Sequence, residues 1–124
     1  MRSLVIVAVV SFGLVACSGG GSSHHATCSP SGSDLSISAE NTRFSTDCLA
    51  ASANHPFTVS FDNKDSGVPH NVNILSASGS SLFKGQIITG SNSVSYHVGA
   101  LKPGTYTFRC DVHPDAMQGT FIVK

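Results

Sequence analysis

Charge is scarce in this chain. Only 11% of its 124 residues are Asp, Glu, Lys or Arg, seven basic against seven acidic. The basic footprint that nucleic acid requires is missing, and net charge offers no steering toward a strongly charged partner. No segment carries apolar residues at a sustained helical period. The longest apolar run, Leu4 to Val15, is broken by Ser11 and Gly13 and falls short of the roughly 20 residues that a membrane-spanning helix needs. The length admits one domain and excludes a second, with 40% hydrophobic residues to fill a modest core.

What is present begins with a targeting pattern. Met1-Arg2 gives a short positive start, the apolar stretch follows, and small residues precede a cysteine. Leu14-Val15-Ala16-Cys17 resembles a bacterial lipobox, which implies that residues 1–16 are a lipoprotein signal peptide and Cys17 is the lipidated first mature residue. Two or more acyl chains on it make attachment lasting. The alternative is an ordinary secretory signal cut elsewhere. Both export the protein, the first to a cell membrane, facing the periplasm or the outside. Ser18-Gly-Gly-Gly-Ser-Ser23 can build no core, so 17–27 reads as a flexible tether. His24 and His25 in it read as solvated.

From Cys28 to Lys124 the pattern is one of strands. Leu35 and Ile37 alternate with polar residues, as do Phe57, Val59 and Phe61, and a period of two is the strand signature. His70, Val72 and Ile74 share a parity, Tyr96 and Val98 another, and Tyr106, Phe108 and Cys110 a third; Gly119 to Val123 makes a closing strand. Turn signals at Ser66-Gly67, Ser78-Gly79, Thr89-Gly90 and Lys102-Pro103-Gly104 punctuate these runs. The expected fold is all-β: a single-domain, antiparallel β-sandwich with Greek-key connections. Alternation also aims His70 and Cys110 inward with their neighbours, so the two converge at one end of the core.

Near the C-terminus, Cys110-Asp-Val-His113-Pro-Asp-Ala-Met117 places a thiolate, an imidazole and a thioether within eight residues. With the upstream imidazole of Pro69-His70-Asn71 this makes a His2Cys set with a weak Met, a donor set suited to copper. On these residues the chain resembles the cupredoxins, the small blue copper proteins that include plastocyanin, amicyanin and pseudoazurin. The resemblance implies a cupredoxin-like fold over 28–124 and one type 1 copper ion held by His70, Cys110, His113 and Met117. Three residues separate His113 from Met117, whereas plastocyanin has four and amicyanin two, which leaves the axial bond and the potential open. Asn71 is expected to hydrogen-bond across to the backbone near Cys110 and hold the two ligand loops together. His55 and His97 have no motif around them and read as ordinary surface or sheet residues.

The remaining thiols follow from that assignment. With Cys17 lipidated and Cys110 on the metal, Cys28 and Cys48 are left as a disulfide pair in an oxidising compartment. Free thiols, or a bond from Cys110 to either of them, stay open. The implied function is electron transfer to transient redox partner proteins, by a monomer tethered to a membrane through its lipid. Copper buffering or delivery without redox turnover is the alternative. An enzyme is not expected: no acid or base is placed by motif to assist a bound water, and Asp111 and Asp115 read as solvated. The paired-histidine motifs of multicopper oxidases and the second loop cysteine of a binuclear centre are missing.

Overall fold

The period-two runs over Leu35–Ile37, Phe57–Phe61 and Tyr96–Val98 become strands with one buried face. The computed structural model describes Cys28 and residues 31–124; the expected signal peptide, Cys17, the expected tether and His24 and His25 lie outside the described residues. Strands β1 (Ser31–Gly32), β2 (Asp34–Glu40), β3 (Arg43–Phe44), β4 (Cys48–Ala51), β5 (Phe57–Asn63) and β6 (Pro69–His70) form the first half. Strands β7 (Asn73–Leu75), β8 (Ser81–Lys84), β9 (Ile88–Thr89), β10 (Asn92–Val98), β11 (Gly104–Arg109) and β12 (Gln118–Val123) form the second. They build a six-stranded sheet in the order β1-β4-β12-β11-β7-β8, a four-stranded sheet β10-β5-β2-β3, and a two-stranded ribbon β6-β9. No helix among the described residues is long and apolar enough to cross a membrane.

The core lies between the two larger sheets. Leu35, Ile37 and Ala39 from β2, Phe57, Val59 and Phe61 from β5, and Tyr96 and Val98 from β10 face Leu49, Ile74, Phe108, Phe121 and Val123. Full burial of each large side chain contributes about 1.5–3 kcal/mol. Phe44 on Phe108 and Phe57 on Phe121, both with ring centroids 5.4 Å apart, join one sheet to the other.

The all-β, single-domain sandwich agrees with expectation, but its sheets are mixed and not antiparallel. β2 runs parallel to β5, β4 to β12, and β1 to β4. Between β2 and β5 the chain visits the other sheet as β4, and such a crossover returns a strand in the same direction, which a hairpin cannot do. The single run expected over His70 to Ile74 is divided as well. β6 pairs with β9 in the ribbon and β7 with β11 in the large sheet, yet His70, Val72 and Ile74 are all at most 1% exposed. The parity survives the change of sheet.

The hairpin of β2 and β3 ends beside the loop after β5. Its strands pair through Glu40 and Arg43, leaving Asn41 and Thr42 with φ of 54° and 57°. Two successive left-handed residues make a type I′ turn, the kind that fits strand twist. Both turn amides point away from the hairpin and donate to Asp65 in that neighbouring loop.

Candidate metal centre

His70 ends the short strand β6, and its ring is wholly buried. The loop that delivers it is held by Asn63, the last inward residue of β5, whose Nδ2 donates to the carbonyls of Val68 (2.8 Å) and Ile88 (2.9 Å). Pro69 adds a fixed φ and keeps Val68 extended. His70 Nε2 lies 2.9 Å from Asp65 Oδ2, and Nδ1 is turned the other way, toward Cys110 and His113. That nitrogen lies 3.7 Å from Cys110 Sγ and 3.2 Å from His113 Nδ1.

Cys110 follows the last residue of β11 and is fully buried as a free thiol. The segment after it folds back on itself: Cys110 N–H donates to the Met117 carbonyl at 2.9 Å, and Met117 N–H to the His113 carbonyl at 3.0 Å. Pro114 is the first residue inside that turn, where its fixed φ is at home. The three-residue spacing between His113 and Met117 is thus one closed turn. Met117 is 1% exposed and part of the core cluster.

His70, Cys110 and His113 each offer a ligand atom, all within 4.8 Å of one another. Imidazole nitrogen and thiolate sulfur bind small cations at about 2.0–2.3 Å, so donors sharing one ion in an open trigonal arrangement stand about 3–4 Å apart. The separations of 3.2 and 3.7 Å from His70 Nδ1 to the other two donors fall in that range. The donor set therefore fits a soft or borderline metal ion.

The loops carrying His70 and Cys110 are clamped by Asn71. Its Oδ1 accepts the Asp111 N–H at 2.8 Å, as expected, while its Nδ2 donates to the Gly85 carbonyl and to Asp111 Oδ2, each at 2.9 Å. Asp111 is not solvated as expected. Its side chain is 15% exposed; Oδ1 accepts Asn73 Nδ2 at 2.8 Å, and Lys84 Nζ and Arg109 Nε stand 3.7 and 3.8 Å away. Burial pushes its carboxyl up, but the Asn71 and Asn73 amides with the two cations outweigh this and hold it below the usual carboxylate range. Asp115 is exposed as expected. Asp65 likewise lies below that range, chiefly through the Thr42 amide and then His70. Burial drives the Tyr96 hydroxyl above its usual value, and it donates to the Gln86 carbonyl at 2.7 Å beneath the site.

Met117 is too deeply buried to share an exposed patch with His113, whose exposed neighbours along the chain are Val112, Pro114 and Ala116. Asn63, Asp65 and Asn73 carry the site and escaped the sequence reading. Asn63 could have been found: it continues the inward parity of Phe57, Val59 and Phe61, where a polar residue must be internally bonded. Cys28 and Cys48 form a disulfide with Cα atoms 4.7 Å apart. His55 and His97 are exposed.

No curated protein matches the sequence. Among solved structures, dithionite-reduced auracyanin from Roseiflexus castenholzii is similar at a TM-score of 0.66 and 18% identity, over 79% of this chain and 99% of that one. Auracyanin A, a "blue" copper protein from Chloroflexus aurantiacus, gives 0.65 and 20%, over 75% and 99%. A reduced Cu(I) amicyanin variant gives 0.56 and 22%, over 73% and 82%. At such identities the likeness speaks for the fold. The pattern of the cupredoxin-like domain matches residues 5–123, and the chain belongs to that family.

Proposed function

We propose that this protein is an exported, lipid-anchored carrier of single electrons in which His70, Cys110, His113 and Met117 hold one type 1 copper ion. The observation that carries the reading is the convergence of two imidazole Nδ1 atoms and one buried thiol at 3.2 and 3.7 Å. A donor set of two nitrogens, a thiolate and a thioether is the blue-copper set, and auracyanin A, of the same fold, is a blue copper protein. Bound copper supplies the one-electron couple.

The chain's own part is to hold still. Cu(I) and Cu(II) favour different geometries, and donors fixed by packed strands and a closed turn limit rearrangement between them. His70 is wholly buried, whereas His113 is only half-buried and flanked along the chain by exposed Val112, Pro114 and Ala116. Electrons leave by the His113 edge, through a small and transient contact. Among the described residues Asp65 is committed to His70 and the hairpin turn, and Asp111 to Asn71 and Asn73.

The test is to load the purified protein with Cu(II) and record visible and paramagnetic resonance spectra and voltammetry. An intense thiolate-to-copper absorption with a reversible one-electron couple, both lost in Cys110→Ser, is the expected result. A colourless product overturns the reading. Weak colour with rapid metal loss to a chelator favours copper buffering or delivery instead. For the anchor, Cys17→Ser is expected to move the protein from the membrane to the soluble fraction.

A further inference from the structure

His70 presents Nδ1 to the donor cluster because something occupies its other nitrogen, and that something is a carboxylate. Asp65 lies in the loop between β5 and β6, its side chain 13% exposed. Its Oδ1 accepts the Asn41 amide at 2.6 Å; its Oδ2 accepts the Thr42 amide at 2.8 Å and His70 Nε2–H at 2.9 Å. Its own amide donates to Asn63 Oδ1 at 3.1 Å, the side chain that fixes the His70 loop. Every strong contact of this carboxylate is therefore spoken for.

We infer that Asp65 is the positioning residue of the metal centre: it locks His70 in the Nε2–H tautomer and places a negative charge behind the imidazole, favouring the more highly charged oxidised ion. This rests on the copper reading. A carboxylate bonded to a ligating imidazole fixes the ring and raises its basicity. The I′ turn of the β2–β3 hairpin is the outer half of the device. Its two left-handed residues aim successive N–H groups at one carboxylate, so the hairpin tip fixes the Asp65 side chain, and Asp65 fixes the ring.

Two measurements test this on the full-length protein. In the metal-free form, 15N shifts of the His70 ring are expected to report a single Nε2–H tautomer; a ring protonated at Nδ1 overturns the proposal without any substitution. In the copper-loaded form, Asp65→Asn keeps the shape and removes the charge, with Asp62→Asn on the outer sheet face as a charge-loss control. Chelator competition is expected to show Cu(II) affinity falling about 10- to 100-fold in Asp65→Asn. A tenfold loss specific to Cu(II) raises the midpoint potential by about 59 mV, while Asp62→Asn leaves both unchanged. If wild type is blue and Asp65→Asn matches it in affinity and potential, or if both Asn variants shift alike, Asp65 has no such role. If wild type stays colourless with Cu(II), it is the copper reading that fails, and the ring tautomer still decides whether Asp65 sets His70.

Discussion

A single buried amide joins three segments at Asn71. It bonds Gly85 from one loop and Asp111 twice from another, once through the carboxylate and once through the backbone. Asn71→Ser is too short to make these contacts, and each buried partner left unpaired costs about 1–3 kcal/mol. The expected outcome is a lower unfolding midpoint in urea and faster copper loss to a chelator; unchanged values for both contradict the clamp. Asp111 adds a pH dependence. Its folded value lies below its unfolded one, so its contribution is complete above the ordinary carboxylate value and disappears as pH falls through the folded value. In metal-free protein the melting-temperature difference between wild type and Asp111→Asn is expected to hold steady down to about pH 5 and to shrink below about pH 4, as calorimetry can show.

Among the strands, β12 shows what a missing side chain accomplishes. Gly119 faces the ring of Phe108 and the carbonyl of Asp47, both so close that a Cβ has no room. Overpacking of this kind costs about 1–3 kcal/mol, so Gly119→Ala is expected to lower the melting temperature by roughly 5–20 °C at the usual sensitivity of a domain of this size. In the sequence Gly119 reads only as the start of the closing strand, because its reason lies in strand pairing. The same limit governs the rest of the fold. Strands with one wet face, such as β2, β5 and β10, announce themselves by alternation. β4 does not: Leu49, Ala50 and Ala51 are all buried, as a strand paired on both edges allows, and the run carries no period. Parallel pairing of β2 with β5 is equally silent, since alternation says nothing about direction. The cluster of His70, Cys110 and His113 was legible because its residues lie in one short C-terminal segment and one Pro-His-Asn segment. Asp65 was not, for its partners Asn41 and Thr42 stand more than twenty residues away.

The whole molecule is tied at one end and neutral overall. The Cys28–Cys48 bridge spans 20 residues, and a closure of that size stabilises by on the order of 3 kcal/mol. The paired Cys28→Ser and Cys48→Ser variant is expected to unfold at correspondingly lower urea while the protein still turns blue with Cu(II). Neutrality bears on how partners are met. Seven basic and seven acidic residues cancel in the full sequence, loss of Arg2 with the proposed signal peptide leaves a net charge of only −1, and Asp111, two residues before His113, is matched by Lys84 and Arg109. The exposed neighbours of His113 along the chain are Val112, Pro114 and Ala116, so a partner that docks at His113 is expected to be guided by apolar contact and not by field. Electrostatic steering accelerates association by roughly 10- to 1,000-fold and collapses with salt. For this protein the bimolecular rate of oxidation by a small anionic complex, followed by stopped flow, is expected to change less than about tenfold between roughly 10 mM and 500 mM salt. A hundredfold fall across that range means that a charged patch guides the encounter, and the apolar segment around His113 is then not where electrons leave.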